Sequence, residues 1–305
     1  MRVETLLTRY SLTAQARGLS GETVAAVKVA VRFFDNFMGG IPDVRKVSGE
    51  DLQRFVLALR RRQKWQGREQ QSEQTLSSTT VNTYCRGVKA FWAWLKAEGI
   101  TTKNPLAAVP APKLPKRLPK TYTEEEMSRV LRAAEGSDRD SAMVYLFLDS
   151  GMRLGELAGL NKADVDTRAG QAKVLGKGSK ERVTFFSKET GLTISLYVLD
   201  ERPEPLGEDR LFLTQTGHPM TRDRVQKILV RLGQRAGLSQ RLSPHHMRHT
   251  YATLSLKHGA NLEFLRRSMG HSSSKTTEVY ISVADADVAE AHRQFSPIAN
   301  LARRR

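Results

Sequence analysis

Five of the chain's 11 prolines fall in one short stretch, at Pro105, Pro110, Pro112, Pro115 and Pro119. Proline fixes φ and removes a backbone donor, so neither a helix nor a central strand can run through such a stretch. Residues 101–120, TTKNPLAAVPAPKLPKRLPK, are expected to be extended and semi-rigid. They divide the chain into an N-terminal domain, 1–100, a linker, 101–120, and a larger domain, 121–305. A length of 305 residues independently suggests two domains at roughly 150 residues each. The linker carries Lys103, Lys113, Lys116, Arg117 and Lys120 and no acid. It reads either as a plain spacer or as a strap that follows a phosphate backbone.

Charge narrows the partner. The chain has 49 Lys and Arg against 32 Asp and Glu, a net charge of +17. An excess of this size points to a polyanion, of which nucleic acid is the commonest, with a merely basic soluble protein as the alternative. The excess is uneven: 21 basic and 9 acidic side chains lie in residues 1–120, and 28 and 23 in the rest. That suits a small N-terminal clamp beside a larger, more selective domain. A single cysteine, Cys85, excludes an intrachain disulfide framework and a cysteine zinc cluster. No apolar run approaches the ~20 residues of a membrane span, and the first residues hold no apolar core of a secretory leader. A soluble protein of the reducing cytoplasm is expected, with no membrane partner.

Apolar periodicity makes the N-terminal domain a bundle of about four helices. Val24, Val27, Val31, Phe34 and Phe37 mark a helix over 20–38. Ser48 caps a second, with Leu52, Phe55 and Leu59 on its face. A third spans 79–98 through Val81, Tyr84, Val88, Phe91, Trp92 and Leu95, with Gly99 as its C-terminal cap. The polar stretch 63–78 is read as a loop. In the larger domain, Thr123 and Glu126 form a capping box, and helices are expected at 124–134, 140–150 and 154–160. Ala172–Leu175 and Arg182–Phe186 flank a Gly-Lys-Gly turn as a hairpin. Ser243-Pro244 starts a helix that runs to about His258, and further helices are expected at 261–269 and 275–281. The fold class is therefore mainly α with a small β-sheet (α+β).

Four segments could carry chemistry. Arg153 follows Gly151, with Glu156 three residues on and able to brace it. Lys177 sits between Gly176 and Gly178 at the hairpin tip. In Pro244-His245-His246-Met247-Arg248-His249, helical spacing puts His245, Arg248 and His249 on one face. His245 and His249 invite a zinc reading, but no glutamate completes the pattern and Arg248 repels a cation, so an anion site is more natural. His271 follows Gly270, and Tyr280 lies nine residues further on. Taken singly, each has a bland reading: a solvated arginine, a polar turn, a core tyrosine.

Their order is more specific. Arg153, Lys177, His245, Arg248, His271 and Tyr280 fall in the sequence of the six active-site positions of the tyrosine recombinase (phage integrase) family, which the chain resembles over most of 121–290. Ser150-Gly151-Met152-Arg153 stands where the family often has Thr-Gly-Leu-Arg, and Met269-Gly270-His271 where it often has Leu-Gly-His. Both are near volume-conserving changes at packing positions. After Tyr280 comes Ile-Ser-Val rather than the Thr-His of many Xer-type members, which leaves the biological role open.

The resemblance implies an N-terminal core-binding helical bundle and a C-terminal mixed α/β catalytic domain. It also implies a site-specific recombinase that acts as a homotetramer on two DNA duplexes. Tyr280 would attack the scissile phosphate, conserving its energy in a 3′-phosphotyrosyl ester that a DNA hydroxyl can reverse. Arg153, Arg248 and His271 would hold the non-bridging oxygens, the phenol proton would pass to His245 or through the phosphate, and Lys177 would protonate the leaving 5′ oxygen. No metal or cofactor is needed, since two guanidiniums replace the cation; Asp149 and Glu156 read as braces of Arg153. A helix after Tyr280, with Val283, Val288, Ala291 and Phe295 as its apolar positions, could dock on a neighbour or on its own domain. A relaxing type IB-like topoisomerase or resolvase, a DNA-binding relative without catalysis, and a metal-dependent nuclease remain as alternatives.

Overall fold

The computed structural model describes residues 2–64, 74–114, 119–176 and 181–270. The chain forms two compact units, Met1–Lys116 and Arg117–Arg305. Lys177, His271, Tyr280 and the helices expected at 275–281 and beyond lie outside the described residues.

The first unit is helical. Helix α1 (Val3–Ala16), which apolar spacing did not single out, precedes α2 (Gly21–Phe37), α3 (Gly49–Arg61) and α4 (Ser78–Ala97). Ser20, Ser48 and Ser77 each accept a backbone N–H of the first turn of α2, α3 and α4, satisfying one of the donors that a helix start leaves open. Asp51 closes a capping box on α3 by accepting from Ser48 N at 2.8 Å. The core is aromatic: Phe34 meets Phe55 and Trp92 edge-on, with ring centroids 5.1 and 5.6 Å apart. Gly87 lets α4 press against α2, because a Cβ there would lie 2.6 Å from Ala30 Cβ.

The proline stretch is not uniformly extended. Residues 104–109 turn, with Ala107 N donating to Asn104 O and Val109 N to Leu106 O. Leu106 and Val109 are buried in the first unit's core. Lys89 Nζ donates to Ala107 O and Val109 O, and Asn82 Nδ2 to Pro112 O. Burial of two aliphatic side chains, each worth about 1.5–3 kcal/mol, outweighs the extended preference of the prolines around them.

In the second unit, α5 (Glu124–Ala134), α6 (Asp138–Ser150) and the short α7 (Leu154–Ala158) lead into an antiparallel sheet. Its order is β1 (Val165–Asp166), β2 (Gln171–Leu175), β3 (Glu181–Phe185), with Ala172 opposite Thr184 and Val174 opposite Arg182. Then come α8 (Lys188–Leu196), a π-turn at Tyr197–Glu201, α9 (Arg222–Arg235), α10 (Pro244–Lys257) and α11 (Leu262–Met269). Strand β1 and α8 carried no clear signal in the sequence; α9 went unread although Val225, Leu229 and Leu232 stand at helical spacing. Helix α6 is the hub: Met143, Leu146 and Phe147 are fully buried among Met152, Leu157, Val174, Tyr197 and Met247. Among the described residues no helix is long and apolar enough to cross a membrane.

Gly151 ends α6 in the left-handed region, φ 58°. A Cβ there would lie 2.2 Å from Tyr251 Cδ1 on α10. Gly151→Ala is expected to destabilise the protein by about 2–5 kcal/mol, left-handed strain adding to overpacking. An unfolding free energy from urea titration within about 0.5 kcal/mol of the parent would contradict this, on the scale of ordinary surface changes.

Candidate active site

Motif residues from distant segments meet at the last turn of α11. This helix starts at Asn261, whose side chain accepts Phe264 N at 2.7 Å. It ends at Gly270, whose left-handed φ of 62° stops it. The terminal carbonyls of a helix lack intrahelical partners and carry its negative dipole end. Three guanidiniums cover them. Arg182 Nη1 donates to Ser268 O at 2.6 Å, Arg248 Nη2 to Met269 O at 2.6 Å, and Arg153 Nη2 to Gly270 O at 3.4 Å.

Each arginine has its own support. Arg153 stands at the N-cap of α7, and Glu156, one turn on, reaches back to it. Glu156 Oε2 accepts Arg153 N at 2.7 Å and Oε1 accepts Arg153 Nη1 at 2.9 Å. Glu156 Oε2 also accepts Arg182 Nη2 at 2.8 Å. Burial pushes the Glu156 carboxyl up, but the charge of Arg182 and the hydrogen bonds and charge of Arg153 outweigh it, and its pKa falls below the ordinary value. The carboxylate is thus ionised and acts as a shared brace. Asp149 does not brace Arg153; its Oδ2 accepts Ser187 N at 2.6 Å and Thr190 Oγ1 at 2.7 Å, fixing the start of α8.

Arg248 is buried, on the inner side of α10 beside Met247, Thr250 and Tyr251. Its Nη1 donates to Gly151 O at 2.5 Å, so it ties the end of α6 to the end of α11. Helix α10 is held in register by Ser243, which caps His246 N, and by Thr250 Oγ1, which accepts Tyr122 N at 2.9 Å. Three residues earlier, one turn toward the start of α10, His245 is exposed where Arg248 is buried. It stays close enough that burial first, and the Arg248 charge second, lower its pKa below the usual imidazole value. At neutral pH it is a neutral imidazole able to accept a proton. Its Nε2 is 2.8 Å from His249 Nε2. Among the described residues no group of three His, Cys, Asp or Glu could hold a metal ion.

The structure therefore brings Arg153, Arg248 and Glu156 together and leaves His245 one turn from Arg248. Arg182 is the participant the sequence did not disclose. Lys180-Glu181-Arg182 looks like a solvated hairpin charge run, and nothing local announces that Arg182 turns inward.

Residues 120–287 match the model of the phage integrase family. The chain is 32% identical over 291 residues to the tyrosine recombinase XerD of Shewanella oneidensis, covering 92% of this chain and 93% of that one. The similarity runs through most of the length, despite Ile281-Ser282-Val283 after Tyr280. The fold resembles that of the XerH site-specific recombinase bound to palindromic difH substrate (TM-score 0.73, 19% identity, 93% of this chain and 83% of that one). It also resembles a lambda integrase tetramer bound to a Holliday junction (TM-score 0.65, 18% identity, 90% and 78%). A family match over more than half its length, joined to a whole-length relative, places this chain in the phage integrase family of tyrosine recombinases.

Proposed function

We propose that the chain is a site-specific recombinase that cleaves and rejoins duplex DNA through a 3′-phosphotyrosyl intermediate, with Arg153, Lys177, His245, Arg248, His271 and Tyr280 as its catalytic set. The observation that carries the assignment of residues is the convergence of Arg153 and Arg248 on adjacent carbonyls of α11, Gly270 and Met269. Guanidiniums held this way are preorganised for a phosphate: planar forks that match its oxygens, fixed before the substrate arrives.

The Tyr280 phenol, with a pKa near 10, is only ~0.1% ionised at pH 7 and needs a base as it attacks phosphorus. His245, kept neutral, takes that proton. Charge grows on the non-bridging oxygens, where Arg153, Arg248 and His271 meet it. The P–O5′ bond breaks, Lys177 gives its proton to the leaving oxygen, and the phosphate stays on Tyr280. Attack by a 5′ hydroxyl reverses each step. Resealing the same strand relaxes DNA; resealing to a second duplex recombines it, and the product separates the recombinase from a type IB-like topoisomerase or resolvase.

The first 100 residues and the basic stretch 101–120 act as the clamp on duplex DNA, with 121–305 as the catalytic domain. The surplus of positive charge in 1–120 supports this division. A homotetramer on two duplexes, joined through the segment after Tyr280, is the working assembly; the lambda integrase tetramer of similar fold supports it. The protein acts in the cytoplasm, with no cofactor and no metal.

Incubated in EDTA with a nicked suicide duplex, the protein is expected to form a covalent adduct stable on a denaturing gel. Tyr280→Phe is expected to form none. An adduct from the Phe variant, or cleavage that stops in EDTA and leaves no protein on DNA, would overturn the reading.

A further inference from the structure

Arg182 belongs to none of the six positions, yet it is built into their midst. Its side chain is only 15% exposed. It stands on β3 opposite Val174 and points inward with Thr184, while the outer face of the hairpin exposes Leu175, Val183 and Phe185 beside the Lys173–Glu181 pair. Its stem fills the space beneath Gly270: a Cβ on that glycine would lie 2.7 Å from Arg182 Cδ and 2.9 Å from Nε. Its Nε is buried with no hydrogen-bond partner among the described residues. Burying a cation with one donor unmet is costly, and stability alone does not call for it, since apolar residues of similar volume are often as good or better.

What Arg182 does is join two parts. One arm of its fork holds Glu156 Oε2, the carboxylate that orients Arg153. The other holds Ser268 O, next to the carbonyls that receive Arg248 and Arg153. It stands one residue from the start of β3, directly after the segment that joins β2 to β3 and contains Lys177. We propose that Arg182 is a positioning residue for the transesterification. It fixes Glu156, and through it Arg153, against the last turn of α11, so that Arg153 and Arg248 meet the scissile phosphate in one arrangement. Arg182 itself does not touch the substrate. Lysine cannot replace it, because a single ammonium lacks the planar fork that reaches both acceptors. This proposal rests on Arg153 and Arg248 being the phosphate clamp.

The test is single-turnover cleavage of the suicide duplex by the full chain, at saturating DNA, with two scissile linkages. One is the natural phosphodiester. The other is a methylphosphonate, which lacks the negative charge that the clamp neutralises. With the natural linkage, Arg182→Ala is expected to slow adduct formation about 10²-fold, the scale of a misplacement of ~1 Å. DNA affinity should stay within about twofold of the parent, below the effect of one lost phosphate contact. With the methylphosphonate, the gap between parent and variant should shrink to a few-fold. A structural role would lower the melting temperature and the active fraction but would not distinguish the two linkages.

Equal slowing on both linkages, or a parent-like rate on the natural one, would overturn the proposal while leaving the enzymatic reading intact. If the parent forms no adduct at all, that reading fails and the proposal falls with it. Arg182→Lys covers the case in which the alanine variant does not fold. It is expected to remain folded and to be slower by about 10-fold or more, as for lost partners that orient a site's groups; a parent-like rate would again refute the role.

Discussion

Arg248→Lys is expected to slow covalent cleavage by about 10²–10³-fold, the cost of removing one preorganised donor from a charge-developing transition state. Charge alone does not rescue it. The guanidinium of Arg248 spans Gly151 O and Met269 O, 2.5 and 2.6 Å from its two terminal nitrogens. An ammonium is a point and cannot hold both. One buried carbonyl is then left without its partner, which costs about 1–3 kcal/mol of stability. The end of α6 also loses its tie to the end of α11. Single-turnover cleavage together with a binding titration checks this. A Lys variant that cleaves within a few-fold of the parent would remove Arg248 from the phosphate clamp.

Glu156→Gln is expected to lose about 3 kcal/mol of stability, the lower end for breaking a buried ion pair, because the Arg153 partner is 40% exposed and partly screened by water. The variant leaves Arg182, 15% exposed, without its counter-charge. The pH dependence carries a sign. The folded-state pKa of Glu156 lies below its ordinary value, so the carboxylate's contribution is fully present above the unfolded carboxyl's pKa. It is lost as pH falls from there through the lower folded value. Parent stability should therefore drop more steeply than that of the Gln variant in acid, and the two urea-midpoint curves should converge. Parallel curves would show that Glu156 is not ionised in its brace. Cleavage should fall as well, since Arg153 loses the group that orients both its backbone N–H and its side chain.

The candidate site was legible to the extent that it depends on spacing and local caps. Ser243-Pro244 started α10, Gly151 and Gly270 ended α6 and α11, and Glu156 braced Arg153, all within four residues of the groups concerned. What could not be read was the direction of side chains across long separations. Arg182 meets Ser268 across 86 positions, and no periodicity in β3 distinguishes an inward arginine from a solvated one. Asp149 went the same way: beside Arg153 in sequence, it serves Ser187 and Thr190 instead. In the linker, proline composition predicted an extended chain and missed Leu106 and Val109, because two aliphatic anchors decide the path of the backbone around them. Helix α8 was missed because it buries Thr190, Gly191 and Ile194 while exposing Leu192 and Leu196, which erases the apolar stripe; α9 was legible, with Val225, Leu229 and Leu232 at helical spacing, but was not read.

The last turn of α11 also governs when, during synthesis, the molecule could become able to cut DNA. Arg153 reaches Gly270 across 117 positions and Arg248 reaches Gly151 across 97, so these pairings wait until residues 248 and 270 have been made. Contacts so remote form late and at high entropic cost. A ribosomal product that stops before α11 has no carbonyls on which the guanidiniums of Arg153 and Arg248 can converge. On the proposed reading, a truncated product therefore lacks an assembled phosphate clamp, a safeguard that follows from chain order alone.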